Sequence, residues 1–289
     1  MTEVWTVGRV ARWAADDFRA RGIENPRLEA ELLLAHALAT ERLRIIVESE
    51  RALSSGELAR FRELIQRRRR GEPVAYLRGY KEFYGREFRV DRRVLVPRPD
   101  TEILVDTALR RTPATSMGGC YLDLCTGSGC VAISLARTRP TCKVFAIDLS
   151  PDALAVAREN AIRLGAAYQV AFMAGNLFEP LAAWPALRFD LIAANPPYIT
   201  EGDVAELPAD VRSFEPRLAL SGGEDGLAVT RPIVSESPRH LRPGGVLAVE
   251  IGTDQADAVQ ALFGEAGFRA IEVDKDYGGH ERVVSGVLA

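Results

Sequence analysis

Residues 120–130 read CYLDLCTGSGC, an apolar run of strand character that ends in a glycine-rich turn. Gly127 and Gly129 allow the backbone to turn tightly and let a ligand approach without a Cβ in the way. A helix pattern follows at once, so free N–H groups at the helix start would face that ligand. One strand later, Asp148 ends the apolar run 144–147, where a carboxylate can accept hydrogen bonds from both hydroxyls of a ribose. The stretch predicts an α/β fold with a site for an adenosine-containing ligand.

Strand and helix patterns alternate from this turn to the end of the chain. Seven strands are predicted, over residues 120–124, 143–147, 169–172, 190–194, 245–251, 270–273 and 282–287. The predicted helices between them cover 131–137, 151–164, 227–237 and 254–266. Such alternation indicates a mostly parallel sheet with helices on both faces. Because no helix separates the last two strands, we expect them to form an antiparallel hairpin at one edge.

The chain also divides along its length. Residues 1–75 predict a separate, small all-α domain, 76–100 a linker with a short β-hairpin, and 101–289 one Rossmann-like α/β domain. In the first domain, the pair Asn25-Pro26 has the pattern of an N-cap residue followed by proline at the first helical position. Ser54 and Glu57 have the spacing of a capping box before the next apolar helical run.

Composition excludes several classes of protein. The 289-residue chain has a formal net charge of −3, which argues against general nucleic-acid binding because such binding usually needs a basic surface. No apolar run approaches the ~18 residues of a membrane-spanning helix, and the first residues lack the pattern of a signal peptide. The four cysteines contain no CxxC pair, so we expect reduced thiols and no bound metal. We therefore expect a cytoplasmic protein that binds no membrane.

A second motif, Asn195-Pro196-Pro197-Tyr198, follows the fourth predicted strand. The two prolines remove backbone donors and fix the direction of the chain, which leaves carbonyl oxygens to accept hydrogen bonds. An NH₂ group held by the Pro196 carbonyl and the Asn195 side-chain oxygen has both hydrogens engaged, so its nitrogen can turn toward an electrophile. The Tyr198 ring offers a flat face for a planar group. The carboxyl end of a strand is where open α/β sheets bind ligands.

The glycine-rich turn alone does not select the ligand, because Gly127, Gly129 and Ala132 also match the dinucleotide fingerprint. Two features favour a methyl donor. Asp123 lies within the first strand, where its carboxylate can balance the ammonium group of a methionine-bearing ligand. The motif 195–198 is not one that a dehydrogenase uses. Together these residues predict an S-adenosylmethionine-dependent methyltransferase that acts on a planar NH₂ group.

With these motifs in place, the chain resembles a known family, the bacterial release factor glutamine methyltransferases. The resemblance covers essentially the whole chain, and its motifs are together highly specific. They are RLEAELL at 27–33, PVAYLRG at 73–79, FYG at 83–85, VLVPRPDTE at 94–102, DLCTGSG at 123–129, NPPY at 195–198, FEP at 214–216 and DYGGHER at 276–282. The resemblance implies a class I methyltransferase domain behind the helical one.

The resemblance also implies roles for individual residues. Contacts with the methyl donor would come from Cys125, Thr126, Gly127, Ser128, Gly129, Asp148, Leu177 and Asn195. Contacts with the reacting group would come from Asn195, Pro196, Pro197 and Tyr198. Two positions depart from the family pattern. Cys125 stands where many relatives have glycine, and Asn176 stands where relatives commonly have an aspartate that bonds the adenine amino group, so we expect weaker adenine recognition.

The implied reaction is methyl transfer from S-adenosylmethionine to N5 of the glutamine in the Gly-Gly-Gln motif of peptide chain release factors, which modulates translation termination. The helical domain would recognise the protein substrate, and we expect a monomer without a direct nucleic-acid substrate. Two other substrates stay open. One is a ribosomal-protein glutamine, since the turn 125–130 is reminiscent of that sister enzyme, and the other is adenine N6 in nucleic acid. The ending 276–282 favours release factors, and both intact motifs argue against a non-catalytic nucleoside-binding protein.

Overall fold

The computed structural model describes residues 4–112 and 118–289, which divide into two compact units. The first unit comprises the chain up to Gly79 together with Pro208–Phe214. The second comprises Tyr80–Leu207 and Glu215–Ala289. A short segment far along the chain therefore belongs to the N-terminal unit, which the one-dimensional pattern does not indicate.

The first unit is helical. Its helices are α1 (Val7–Ala20), α2 (Pro26–Ala37), α3 (Arg42–Val47), α4 (Ser55–Arg69), α5 (Val74–Arg78) and, from the later segment, Ala209–Phe214. The apolar side chains meet in one core, which includes Val10, Phe18, Leu33, Leu34, Phe61 and Ile65. Burial of these side chains is what makes this unit compact by itself.

Two predicted helix starts in this unit have different outcomes. The capping box is confirmed, because Ser54 Oγ accepts a hydrogen bond from the Glu57 N–H and the Glu57 carboxylate accepts from the Ser54 N–H. The start at Asn25-Pro26 is confirmed in position, because helix α2 begins at Pro26 with Asn25 as its N-cap residue, but the Asn25 side chain makes no capping hydrogen bond. Asn25 has a left-handed φ of +51°, whereas a capping side chain needs an extended N-cap backbone to reach the helix N–H groups.

The second unit opens with an antiparallel hairpin, β1 (Tyr80–Phe83) and β2 (Arg86–Arg89), followed by α6 (Thr101–Arg111). The strands of its sheet are β3 (Cys120–Leu124), β4 (Lys143–Asp148), β5 (Val170–Ala174), β6 (Phe189–Ala194), β7 (Leu241–Glu250), β8 (Phe268–Lys275) and β9 (Glu281–Leu288). The helices between them are α7 (Cys130–Thr138), α8 (Pro151–Arg163), α9 (Glu201–Val204), α11 (Thr230–Glu236) and α12 (Ala256–Glu265). The helix Ala209–Phe214, which belongs to the first unit, is α10.

The strand order is β5-β4-β3-β6-β7-β9-β8. The first five strands in this order pair in parallel, and β9 is antiparallel to both neighbours, which confirms the predicted sheet and its antiparallel edge. The chain runs outward from β3 to β5 and returns to β6 on the other side of β3. This reversal creates a topological switch point, the place where such sheets bind ligands. Leu124 pairs with Ala194 across it, so the glycine-rich turn and the proline motif emerge side by side.

The predicted strands are present, and their ends differ for identifiable reasons. Strand β7 begins at Leu241 instead of residue 245, because Leu241 already pairs with Phe189, and extra residues of β7 bulge out before the main ladder resumes at Leu191 and Val246. Strand β8 extends beyond the predicted 270–273 on both sides. It lies at the sheet edge, where polar residues such as Arg269 and Asp274 interrupt the apolar pattern that reveals a buried strand.

The central strands carry two apolar layers. Tyr121 and Leu191 lie in one layer, and their neighbours Leu122 and Ile192 lie in the other. Because both faces are buried, these strands read as continuous apolar runs. Within residues 4–112 and 118–289, no helix is long and apolar enough to cross a membrane. In the same part of the chain, His, Cys, Asp and Glu side chains form no group of three that could hold a metal ion.

Candidate active site

A cleft opens at the carboxyl ends of β3, β4 and β6, with an empty volume of about 1050 Å³ including its open mouth. Its walls contain most of the residues predicted to contact the donor, namely Cys125, Thr126, Gly127, Ser128, Asp148, Leu177 and Asn195. Asn195 and Pro197 of the proline motif also line it. Among the residues that the structure describes, the walls do not include Gly129, Pro196 or Tyr198. The predicted donor and reacting motifs are thus brought together in one cleft.

The glycine-rich turn is held by backbone hydrogen bonds. The Thr126 N–H donates to Ile147 O at 3.1 Å, and the Gly129 N–H donates to Thr126 O at 2.8 Å. Gly129 has a φ of +80°, and a Cβ there would lie 3.0 Å from Ile133 and 3.1 Å from Ala157. Glycine is therefore needed at this position for packing between helices α7 and α8, and not for approach of a ligand.

Cys125 has a φ of +58°, a left-handed conformation that is costly for a residue with a Cβ and easy for glycine. This explains why glycine suits the position, and why cysteine there stores strain. Desolvation raises the pKa of the Cys125 thiol well above its usual range, so it stays neutral. Leu177, which follows β5, has a similar φ of +46°. Such conformations cluster at ligand sites.

Asp148 is fixed in the cleft wall by two backbone donors. Its Oδ2 accepts from the Gly127 N–H at 2.8 Å and its Oδ1 from the Ser150 N–H at 2.9 Å. Burial raises the pKa of Asp148, and these two hydrogen bonds oppose the shift. Each carboxylate oxygen has a further lone pair. The side chain can therefore keep both backbone contacts and still accept from two hydroxyl groups in the cleft.

Asp123 connects the turn to the helix behind it. Its Oδ2 accepts from Thr126 Oγ1 at 2.5 Å and from the Ala132 N–H at 3.0 Å. Burial raises the pKa of Asp123 to about 7, and the nearby carboxylate of Asp148 also raises it. A cation in the cleft would favour the ionised form. The predicted role of Asp123 as partner of an ammonium group stays a prediction that this geometry permits.

The Asn195 amide makes a hydrogen bond to a residue of helix α6. Its Nδ2 donates to Thr101 Oγ1 at 3.1 Å. In the described chain, no donor bonds Asn195 Oδ1 or the Pro196 carbonyl. Both oxygens therefore keep their capacity to accept a hydrogen bond. Asn195 lines the cleft, whereas Pro196 is buried and does not. That these two oxygens hold a substrate NH₂ group stays a prediction.

Hydrogen bonds hold the chain at Tyr198 and Ile199 to the segment that precedes α11 and to Gln255, the N-cap residue of α12. The Ile199 N–H donates to Leu220 O at 3.1 Å, and Gln255 Nε2 donates to Tyr198 O at 3.0 Å. A Cβ on Gly226 would lie 2.4 Å from Tyr198 O, so only glycine allows this close approach. Tyr198 is partly buried, and burial raises its pKa to about 12. Its hydroxyl therefore stays protonated and does not act as a base.

Sequence reasoning missed several residues of the cleft. Part of the cleft wall is formed by residues that precede or begin helix α6, namely Arg93, Val94, Leu95, Pro97, Arg98 and Thr101. The buried Glu215 holds this wall, because its carboxylate accepts from Arg98 at 2.7 Å and from the Val96 N–H at 3.2 Å. Both segments were recognised as family motifs without a structural role. Asn160 was missed entirely, although its Nδ2 donates to Ser128 O at 2.9 Å and thereby supports the turn.

Comparisons with known proteins agree with the class that this fold defines, the class I methyltransferases. A sequence profile described as a methyltransferase domain matches residues 116–271. The crystal structure of a methyltransferase from Pyrococcus furiosus aligns with a TM-score of 0.53 at 19% identity, covering 72% of this chain and 91% of that one. This last likeness is one of fold alone. Domains of this class use S-adenosylmethionine in general.

Sequence relatives identify the family. A profile described as the PrmC N-terminal domain matches residues 9–79. The release factor glutamine methyltransferase of Geobacter sulfurreducens is 44% identical over 98% of this chain and 97% of its own length. That of Moorella thermoacetica is 45% identical over 91% and 92% respectively. The chain belongs to the release factor glutamine methyltransferase family and is a protein-glutamine methyltransferase.

Proposed function

We propose that this chain transfers a methyl group from S-adenosylmethionine to the side-chain amide nitrogen, N5, of the glutamine in the Gly-Gly-Gln motif of peptide chain release factors. The observation that carries the proposal is the orientation of Asn195. Because its amide N–H bonds Thr101, its oxygen remains to accept from a substrate NH₂ group in the donor cleft. Relatives named for this substrate support the choice of release factors. We place the reaction in the cytoplasm, with one chain as the active unit.

The residues of the cleft fit S-adenosylmethionine as donor. Asp148 would accept from the ribose hydroxyls, and Asp123 would balance the ammonium group. Leu149 and Leu177 supply apolar surface for the adenine, and the turn 125–128 would lie along the methionine part. When bound, this donor supplies a methyl group already activated by its sulfonium.

The difficulty of the reaction lies with the nucleophile. A carboxamide nitrogen shares its lone pair with the carbonyl group and is barely basic. Asn195 Oδ1 and the Pro196 carbonyl would place negative partial charge against the NH₂ protons as positive charge develops on nitrogen, which stabilises the transition state more than the ground state. Holding the nitrogen in line with the methyl group lowers the activation free energy further, because the entropy cost of orienting the two groups is met on binding. Tyr198 and Pro197 would shape the site for a planar group.

A peptide pair tests the substrate directly. The wild-type protein with S-adenosylmethionine should methylate a peptide that carries Gly-Gly-Gln, and mass spectrometry should place the added methyl on the glutamine nitrogen. A Gly-Gly-Asn peptide should react at least tenfold more slowly, since its nitrogen falls short by about one C–C bond, roughly 1.5 Å. Equal turnover of the two peptides would contradict the proposal. Methylation of a ribosomal protein, with release factors untouched, would transfer it to that substrate.

The helical unit supports the proposed recognition of a whole release factor. Helix α3 presents three apolar side chains on one face, Leu43, Ile46 and Val47, and they are 66%, 49% and 73% exposed. Spacing of three and four residues places them next to each other. Contiguous apolar side chains on a surface mark a site for protein contact. We assign this face to contact with the release factor outside its Gly-Gly-Gln loop.

The double substitution L43E/V47E should lower kcat/KM for an intact release factor roughly tenfold, through KM, as expected for loss of interface residues. Turnover of the short Gly-Gly-Gln peptide should not change, because the peptide lacks the release-factor surface outside the Gly-Gly-Gln loop that this face is proposed to contact. Ile162→Glu is the matched control, since Ile162 is 71% exposed on helix α8 and has no assigned contact. Steady-state kinetics with the intact release factor and with the short peptide measure both effects. An unchanged KM for the intact factor would remove α3 from the recognition surface.

A further inference from the structure

Glu250 is a buried acid that the proposed reaction does not use. It is the last residue of β7 and only 1% exposed. Among the described residues, its Oε2 has no hydrogen-bond partner. A buried carboxylate with an unsatisfied oxygen is costly. Strand β7 lies beside β6, and β6 ends at the proline motif. The buried Glu250 carboxylate at the end of β7 therefore calls for a functional explanation.

The neighbours of Glu250 belong to the reacting site. Strands β6 and β7 are parallel and Ala194 pairs with Val249, so Asn195 and Glu250 occupy adjacent positions on neighbouring strands. The polar side chains of Thr101 and Asn195 favour the ionised form of Glu250, as does the positive charge of Arg282. Burial acts most strongly in the other direction, Asp100 adds to it, and the pKa of Glu250 is raised to about 7. Glu250 also interacts electrostatically with Cys130 and Tyr198, and it raises the pKa of both.

Thr101 alone does not fix the orientation of Asn195. A hydroxyl group both donates and accepts, so Thr101 could bond either the nitrogen or the oxygen of the Asn195 amide. An ionised carboxylate only accepts. Beside Glu250, the Asn195 nitrogen is therefore attracted and the oxygen is repelled. A protonated Glu250 could donate to that oxygen and hold the amide the other way round.

We propose that Glu250 is a positioning residue, whose ionised carboxylate holds the Asn195 amide with its nitrogen inward and its oxygen toward the substrate. The inference rests on the proposed function of Asn195 as acceptor for the glutamine NH₂. The charge also polarises the amide, which strengthens Oδ1 as an acceptor. Glu250 acts through Asn195 and does not touch the substrate. Methyl transfer should accordingly fall as the pH drops below about 7, where Glu250 takes up its proton.

The Glu250→Gln substitution is tested in two proteins, the wild type and the Asn195→Asp variant. The proposal predicts opposite effects on kcat in the two. With Asn195 present, Glu250→Gln should lower kcat on the order of tenfold, because a glutamine can bond either end of the amide. At saturating donor, whose ammonium group keeps Asp123 ionised, the substitution should also remove the acidic limb of kcat near pH 7. With Asn195→Asp, the same E250Q substitution should raise kcat on the order of tenfold. Two adjacent carboxylates disfavour each other's ionised form, and glutamine at 250 can instead donate to the introduced carboxylate. A loss of activity in both backgrounds would show a merely structural role and overturn the proposal.

A titration independent of turnover separates this inference from the proposed function. In protein carrying ¹³C-labelled glutamate carboxyls, the Glu250 signal, assigned by its absence in E250Q, should titrate near pH 7. In Asn195→Ala, its midpoint should move to higher pH, because a donor to the ionised form is lost. An unmoved midpoint would overturn the positioning role. Failure of the wild-type protein to methylate the Gly-Gly-Gln peptide would instead refute the proposed function, and the shifted midpoint would still show the Glu250–Asn195 coupling.

Discussion

Replacing Asn195 with alanine is expected to slow methyl transfer by roughly 10²- to 10³-fold, the usual loss for one preorganised electrostatic contact. The substitution removes Oδ1 and leaves the Pro196 carbonyl as the single acceptor for the glutamine NH₂. The turn 125–129, Asp148 and the locked chain around Tyr198 do not depend on the Asn195 side chain. Affinity for S-adenosylmethionine should therefore change much less than the rate. Single-turnover kinetics and calorimetry on the same protein measure the two effects separately.

Asn195→Asp is the matched variant, because aspartate keeps an acceptor oxygen at the same position. It should retain measurably more activity than the alanine variant if acceptance is the role of Asn195. It should stay below wild type, since its carboxylate lies beside Glu250. An alanine variant as active as the wild type would remove Asn195 from the mechanism. Equal activity of the alanine and aspartate variants would show that the oxygen is not what matters.

Replacing Asp148 with alanine is expected to weaken binding of S-adenosylmethionine by about 1–3 kcal/mol, the size of lost hydrogen bonds to a charged group. This corresponds to roughly a 5- to 150-fold increase in Kd. Two effects add in the same direction. The ribose hydroxyls lose their acceptor, and the backbone N–H groups of Gly127 and Ser150 lose the carboxylate that orders the turn. Calorimetric titration of the folded variant with the donor measures the change.

Asp152→Ala controls for the loss of a negative charge in this region. Asp152 lies in the first turn of α8 and is exposed, so its removal should leave the affinity for the donor unchanged. Unchanged affinity in the Asp148 variant would refute the assignment of Asp148 to the ribose. NAD offered to the wild-type protein should bind far more weakly than S-adenosylmethionine. Comparable binding of both ligands would revive the dehydrogenase hypothesis.

The sequence by itself determined the fold class and the position of the candidate site in the fold. The three signals that mattered are local: the turn after Leu124, the acid at Asp148 and the motif that begins at Asn195 each end an apolar run. Parallel strands bring their carboxyl ends to the same edge of a sheet. Once the strands were identified, the three signals had to converge. The family motifs then indicated the substrate, and the relatives agree with the family.

Only the tertiary structure decided which residues complete the site. Thr101 bonds Asn195 across 94 residues of chain, and Glu215 bonds the Val96 N–H across 119. Glu250 ends an apolar run just as Asp148 does, so its place at the carboxyl ends of the strands could have been inferred from sequence. Its partners could not, because they come from other elements. A side chain's hydrogen-bond partner depends on which distant segments pack against it, and no local pattern contains that information.

The same limit applies to backbone conformation. Cys125 and Asn25 both adopt left-handed φ angles. The sequence hinted at this only for Cys125, which stands where many relatives have glycine. Asn25 has the residue type and the position of an N-cap, yet with its left-handed backbone its side chain makes no capping hydrogen bond. Such conformations cost energy locally and persist only where the surrounding packing compensates. The residue types therefore determined where strands end and chemistry can occur, while long-range packing decided how each functional side chain is oriented.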